Sequence, residues 1–88
     1  MKALIIANSF RRDLKLYRKR GVRLDALDQV ITLLRQDQSL QPKHRPHRLQ
    51  GEWRHVWECH IGPDFLLLYQ FDDASLTLLR LGSHSDLF

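Results

Sequence analysis

Cysteine is almost missing from this chain of 88 residues. Cys59 stands alone, so no internal disulfide can form and a reducing cytoplasm is the expected compartment. Long hydrophobic runs are missing too. The apolar start from Ala3 to Ala7 spans five residues, too few for a signal-peptide core or a membrane span, and no membrane association is expected. Internal repeats, low-complexity tracts and linkers are also lacking, which leaves one domain over residues 1–88. Acidic residues are the minority charge. Ten Asp and Glu face 14 Lys and Arg, a net charge of +4 with a pI near 9.7, a balance that favours polyanionic partners such as nucleic acid or an acidic protein. The 43% hydrophobic and 27% charged residues that are present suit a small globular domain near the lower size at which one core suffices.

Residues 2–7 read as a short strand, after which Asn8 and Ser9 offer N-caps for a helix with Phe10, Leu14 and Tyr17 on one face. Gly21 ends that helix beside a basic last turn. A second helix is expected from Arg23 to Gln38, with Leu24, Leu27, Val30, Ile31 and Leu34 at helical spacing. Residues 39–51 carry two prolines and little periodicity and read as a loop. Three strands follow, at 53–60, 64–71 and 75–82, separated by turn signals at Ile61-Gly62-Pro63 and Asp72-Asp73-Ala74. The order β-α-α-β-β-β predicts an α+β fold, a two-helix hairpin on one face of a mainly antiparallel sheet.

Strand parity then sorts the side chains. A three-residue loop at Ile61 to Pro63 places His60 across from Asp64. An odd-numbered loop at Asp73 to Ser75 places Asp64 across from His84 and Leu68 across from Arg80, so that His60, Asp64, Arg80 and His84 share one face. An even-numbered second loop separates Asp64 from His84. The opposite face, the expected floor for the helices, holds Trp57, Cys59, Phe65, Leu67, Tyr69, Phe71, Leu79 and Leu81, with Trp53 on the same parity. Val56, Leu66, Leu68, Leu76 and Leu78 fall on the polar face, as a stripe that a partner, a loop or the chain end covers.

Imidazoles, one acid and one guanidinium are the groups that cleave an RNA backbone without a metal. RNA carries its own nucleophile, the 2′-hydroxyl, so cleavage needs a base for its proton, an acid for the 5′-oxygen and positive charge for the transition state. Histidine serves as base or acid near neutrality, and the fork of Arg80 matches two phosphate oxygens. His84 is the expected principal proton-transfer residue, assisted by His60 or His47, with Asp64 a second acid-base group or the orienting partner of an imidazole. The bland readings are an exposed strand histidine, a turn-closing Asp64, and an Arg80 paired with Glu58. Phe88 stacks on a base or anchors the chain end. His44 and His47 make an H-x-x-H, and His55 and His60 add imidazoles, but zinc usually needs four suitably spaced ligands and Cys59 is expected in the core. Neither metal nor cofactor is expected. Asp72 and Asp73 read as turn chemistry. Basic residues on the first helix, with Lys43, Arg45 and Arg48 on the loop, form a solvated surface or one that holds nucleic-acid phosphates.

The stretches NSFRRDLKL, HRLQGEW, ECHIGPDFLLLYQF and LLRLGSHSDLF resemble the YafQ branch of the RelE-like bacterial toxins, over nearly the whole chain. The resemblance implies a toxin of a type II toxin–antitoxin pair, an endoribonuclease that enters the ribosomal A site and cuts the mRNA codon there. It points to His47, His60, Asp64, Arg80 and His84 as catalytic and to Phe88 as an RNA contact. It implies as partners the 70S ribosome with its mRNA and a ribbon-helix-helix antitoxin of the DinJ or RelB type, whose tail covers the basic surface and the leucine stripe. Operator DNA is reached only through that complex. Phe65 departs from the pattern, since relatives often carry Trp there. Two rival functions share the scaffold: a ParE-like toxin that binds gyrase, which needs no acid-base cluster, and an inactive toxin kept as an antitoxin-bound co-repressor.

Overall fold

Apolar residues open the chain as strand β1 (Ala3–Ile6) in a computed structural model that describes residues 1–88. Helix α1 (Asn8–Lys19) follows with Ala7 as its N-cap and no side-chain cap. Ser9, expected to cap, instead donates its hydroxyl to the Leu79 carbonyl at 2.6 Å. Gly21 closes the helix at φ +75°, with Val22 N–H on the Tyr17 carbonyl at 3.1 Å and Gly21 N–H on that of Arg18 at 3.0 Å. Glycine enters this left-handed closure without steric cost. Helix α2 (Asp25–Arg35) is shorter than its apolar spacing suggests, because the chain turns back at once in a similar closure. Asp37 sits at φ +56° and Gln38 N–H reaches the Leu33 carbonyl at 2.9 Å.

The proline-containing segment is more ordered than its composition predicts. A 3-10 turn (Pro42–His44), a two-residue strand β2 (His47–Arg48) and a second 3-10 turn (Gly51–Trp53) lead into β3 (Trp57–Gly62). Strands β4 (Phe65–Phe71) and β5 (Ser75–Gly82) and a short helix α3 (His84–Leu87) complete the chain. The sheet runs β1-β5-β4-β3-β2, parallel only where β1 meets β5. The expected α+β architecture is the observed one, with β2 and α3 added. From the helices, Phe10, Tyr17, Leu27 and Val30 pack against Cys59, Leu67, Tyr69 and Leu81 of the sheet. Each fully buried leucine or valine in this layer contributes about 1.5–3 kcal/mol.

Both hairpin registers differ from expectation, and the differences leave the polar face intact. His60 pairs with Leu66 rather than Asp64, because the turn consists of Pro63 and Asp64, Gly62 faces Phe65, and the ladder is irregular at Ile61. The slip is by two residues, which preserves the side-chain face. In the next hairpin Phe71 pairs with Leu76, an even-numbered loop that alone would have parted Asp64 from His84. A bulge at Leu79 repairs the parity, since Tyr69 faces Leu78 but Leu68 faces Arg80.

The bulge also reassigns residues. Leu76 and Leu78, expected on the polar face, lie in the helix-side core, and Leu79, expected there, does not. Val56, Leu66 and Leu68 do stand apart from that core, but they are buried within the chain, so the expected open leucine stripe does not exist. Trp53 and Phe71, expected to pack inward, are exposed. Trp53 lies in a 3-10 turn, where strand parity has no meaning. Phe71 ends β4, with its ring 5.7 Å from that of Trp57.

Candidate active site

Register builds the site in two rows across the sheet. The first row runs His47 on β2, Glu58 on β3, Leu68 on β4 and Arg80 on β5; the second runs His60, Leu66 and Gly82. Leu66 and Leu68 are the apolar floor between the polar positions. Adjacent strands lie about 4.8 Å apart, so the first row spans roughly 14 Å, wide enough for a stretch of nucleic acid backbone rather than a single atom.

Asp64 and His84 close the far end of the second row. Asp64 occupies the turn at φ +49°, a left-handed conformation that aspartate tolerates better than most side chains and that suits the residue after a turn proline. One of its carboxylate oxygens, Oδ1, accepts both the backbone N–H of His84 at 3.0 Å and its Nδ1 at 2.8 Å. These two bonds, the backbone one first, hold the Asp64 carboxyl below the usual carboxylate range. It is ionised near neutrality and accepts from the imidazole there. With Nδ1 donating to Asp64, the Nε2 of His84 remains free. The His84 ring lies 6.2 Å from that of His60 and 6.3 Å from that of Phe88, centroid to centroid, and Phe88 is exposed.

Glu58 is the residue that sequence reasoning underrated. It is buried, and its Oε1 lies 3.5 Å from Nε2 of His47 and 3.8 Å from Nε2 of His60. His47 Nδ1 donates to the Arg45 carbonyl at 2.9 Å. One buried carboxylate thus sits between two of the expected imidazoles. Its position two residues before His60 on one strand was the available signal. Cys59 faces the core, where burial and then Glu58 push its thiol up to about 12, so it offers no nucleophile at neutral pH.

The remaining residues fall into place around this face. Arg80 is not paired with Glu58. Its Nε donates to Asp13 of α1 at 2.7 Å. Lys43 and Arg45 border an open cleft with His44, Gly62 and Pro63 that reaches His60. Arg48 turns aside, its Nε donating to the Arg54 carbonyl at 3.3 Å. His44 is buried, and its Nδ1 accepts the Gln41 N–H at 3.2 Å; burial first, then Lys43, lowers its proton affinity. His55 lines a separate hollow with Gln70 and Asp72. Asp72 closes its turn as expected, its Oδ1 accepting the N–H groups of Ala74 and Ser75 at 2.8 Å each. On α1, Arg11, Lys15, Arg18 and Lys19 surround Leu14 as a second basic surface.

Comparison with known proteins places the chain in a family. The family model described as the bacterial toxin of type II toxin–antitoxin system, YafQ, matches residues 2–88. The mRNA interferase toxin YafQ of Escherichia coli strain K12 is 32% identical over 83 residues, covering 93% of this chain and 90% of that protein. Among solved structures, a copper-bound mutant toxin from Helicobacter pylori is 42% identical with a TM-score of 0.96, covering 100% of both chains. YafQ in the E. coli DinJ-YafQ toxin–antitoxin complex is 31% identical with a TM-score of 0.91, over 99% of this chain and 97% of that one. No helix here is long and apolar enough to cross a membrane. The chain belongs to the YafQ family of type II toxin–antitoxin toxins.

Proposed function

We propose that this protein is an endoribonuclease toxin that cuts mRNA in the ribosomal A site in the cytoplasm, using its own side chains as acid and base. The observation that carries the reading is the Asp64–His84 pair facing His60. An imidazole whose Nδ1 is held by a carboxylate presents Nε2 in a fixed direction, the arrangement by which serine hydrolases prepare their base. His60 and His84 then form the acid-base pair about a phosphodiester. One takes the 2′-hydroxyl proton as that oxygen attacks phosphorus; the other gives a proton to the departing 5′-oxygen. A 2′,3′-cyclic phosphate and a 5′-hydroxyl end result, with no proton gained or lost overall.

Arg80 stabilises the charge on the non-bridging phosphate oxygens. Glu58 and His47 hold the opposite end of the row, Phe88 stacks on a base beside His84, and Lys43 and Arg45 lie along the backbone path, from which Arg48 is turned away toward Arg54. The ribosome supplies the alignment that an open, shallow face lacks, which accounts for a site with no enclosing walls. The partner that restrains it is a DinJ-type ribbon-helix-helix antitoxin, and contact with operator DNA runs through that complex.

Primer extension on mRNA from cells expressing the protein tests the reading. In-frame cuts should appear while translation proceeds and vanish with His84→Ala. Growth inhibition that persists in His84→Ala, without any mRNA cuts, would instead support a gyrase-binding toxin.

A further inference from the structure

Arg80 reaches the site already engaged. Its Nε donates to Asp13 Oδ2 at 2.7 Å and its Nη2 to Asp13 Oδ1 at 3.3 Å, while Oδ2 also accepts the Leu81 N–H at 2.9 Å. The carboxylate comes from α1, and it has companions at helical spacing. Ser9, four residues before it, donates to the Leu79 carbonyl at 2.6 Å. Tyr17, four residues after it, accepts the Ser83 N–H at 3.3 Å. β1 pairs with β5 only as far as Leu78, so the strand edge beyond has no strand neighbour. Four helical residues rise about 6 Å and two strand residues about 6.6 Å. The stripe Ser9, Asp13, Tyr17 therefore keeps step with Leu79, Leu81 and Ser83 and satisfies the exposed edge in place of a strand.

A carboxylate anchored on a strand N–H is a fixed reference point, and Arg80 takes its direction from it. A guanidinium has five N–H donors. Asp13 occupies the Nε–Nη2 side, leaving the Nη1–Nη2 side, the second edge able to grip two oxygens of a phosphate. The Arg80 side chain is 38% exposed against 15% for Asp13, so the outer edge meets solvent while the carboxylate behind it is shielded. We propose that Asp13 is a positioning residue for RNA cleavage, holding Arg80 by one edge so that the other receives the reacting phosphate. This rests on the role given above to Arg80.

The test is a double-mutant cycle read as kcat and KM on programmed ribosomes, with Asp13→Asn, Arg80→Ala and the combination. Asn keeps an oxygen for the Leu81 N–H but loses the charge that grips Arg80. Asp13→Asn should lower kcat about 10- to 100-fold, leave KM within about twofold, and add no more than about twofold when Arg80 is already Ala. Effects that multiply in full would make Asp13 merely structural. Wild-type or faster cleavage by Asp13→Asn would overturn the proposal, the latter by showing that Asp13 restrains Arg80. Wild-type kcat in Arg80→Ala would instead remove the role of Arg80 itself. Should Asp13→Asn not fold, Arg80→Lys decides. Lysine keeps the charge but has no second edge, so its kcat should fall to the level of Arg80→Ala, and wild-type kcat there would refute the idea.

Discussion

Asp64 Oδ1 accepts two hydrogen bonds from one residue, the backbone N–H and the Nδ1 of His84, so one carboxylate sets both the start of α3 and the direction of its first imidazole. Replacing His84 with Ala should lower cleavage by about 10²- to 10⁴-fold, the usual contribution of a general acid or base. Asp64→Asn should fall in the same direction by a smaller factor, because the backbone bond to His84 can persist while the charge is lost. Single-turnover cleavage of ribosome-bound mRNA measures both.

The pH response of that pair has a definite sign. Its folded-state proton affinity is held below the ordinary carboxylate value of 3.8, so its contribution is complete above that value and is lost as pH falls through the lowered one. Any acidic limb of the rate profile between pH 5 and 7 should therefore survive Asp64→Asn. A limb abolished by that substitution would show that Asp64, and not an imidazole, titrates there.

Glu58 ties activity to stability. Removing one member of a buried polar contact leaves the others without their partner and is costly, and Glu58→Leu leaves both His47 and His60 in place. It should lower the thermal midpoint, and cleavage by the folded protein should fall at least about 10-fold. An active Glu58→Leu protein would mean that the carboxylate does nothing for His47 and His60.

Tyr17 ties α3 to α1. Its hydroxyl donates to Asp86 Oδ2 at 2.7 Å and accepts the Ser83 N–H at 3.3 Å, while burial, then the Asp86 bond, keeps it protonated. Tyr17→Phe should cost about 1–3 kcal/mol in chemical denaturation. It should also speed amide exchange at residues 83–88, which carry His84 and Phe88. Gly82→Ala should act alike, since an added Cβ would lie 2.9 Å from that hydroxyl.

His44 makes the preceding loop acid-sensitive. Burial lowers its proton affinity from the ordinary 6.5, so the unfolded chain takes up the proton first, and stability falls as pH drops below about 6.5 towards the lowered value. Protonated Nδ1 can no longer accept the Gln41 N–H. Protection factors corrected for the intrinsic exchange rate should fall around Gln41 to Arg45 between pH 7 and 5, and His44→Gln should flatten that fall.

Much of this was legible from residue order. Helical spacing located α1 and α2, alternation located β3 to β5, and the histidine–aspartate series located the polar face. What escaped were features with no periodic signature. The two-residue strand β2 and the four-residue α3 are too short for a pattern. The bulge at Leu79 is invisible because leucines stand on both sides of it, so either register keeps an apolar face. It moved Leu76 and Leu78 into the core and closed the expected leucine stripe.

Composition and local pattern determined an α+β domain, basic and without disulfides, and named the side chains that chemistry would need, because propensity and periodicity are short-range properties written along the chain. Only the tertiary structure decided which of them meet: that Asp64 holds His84, that Glu58 lies between His47 and His60, and that Asp13 holds Arg80. Those meetings depend on turn geometry, a single bulged residue and the match of a helix rise to a strand edge, and each joins segments whose contact no local pattern encodes.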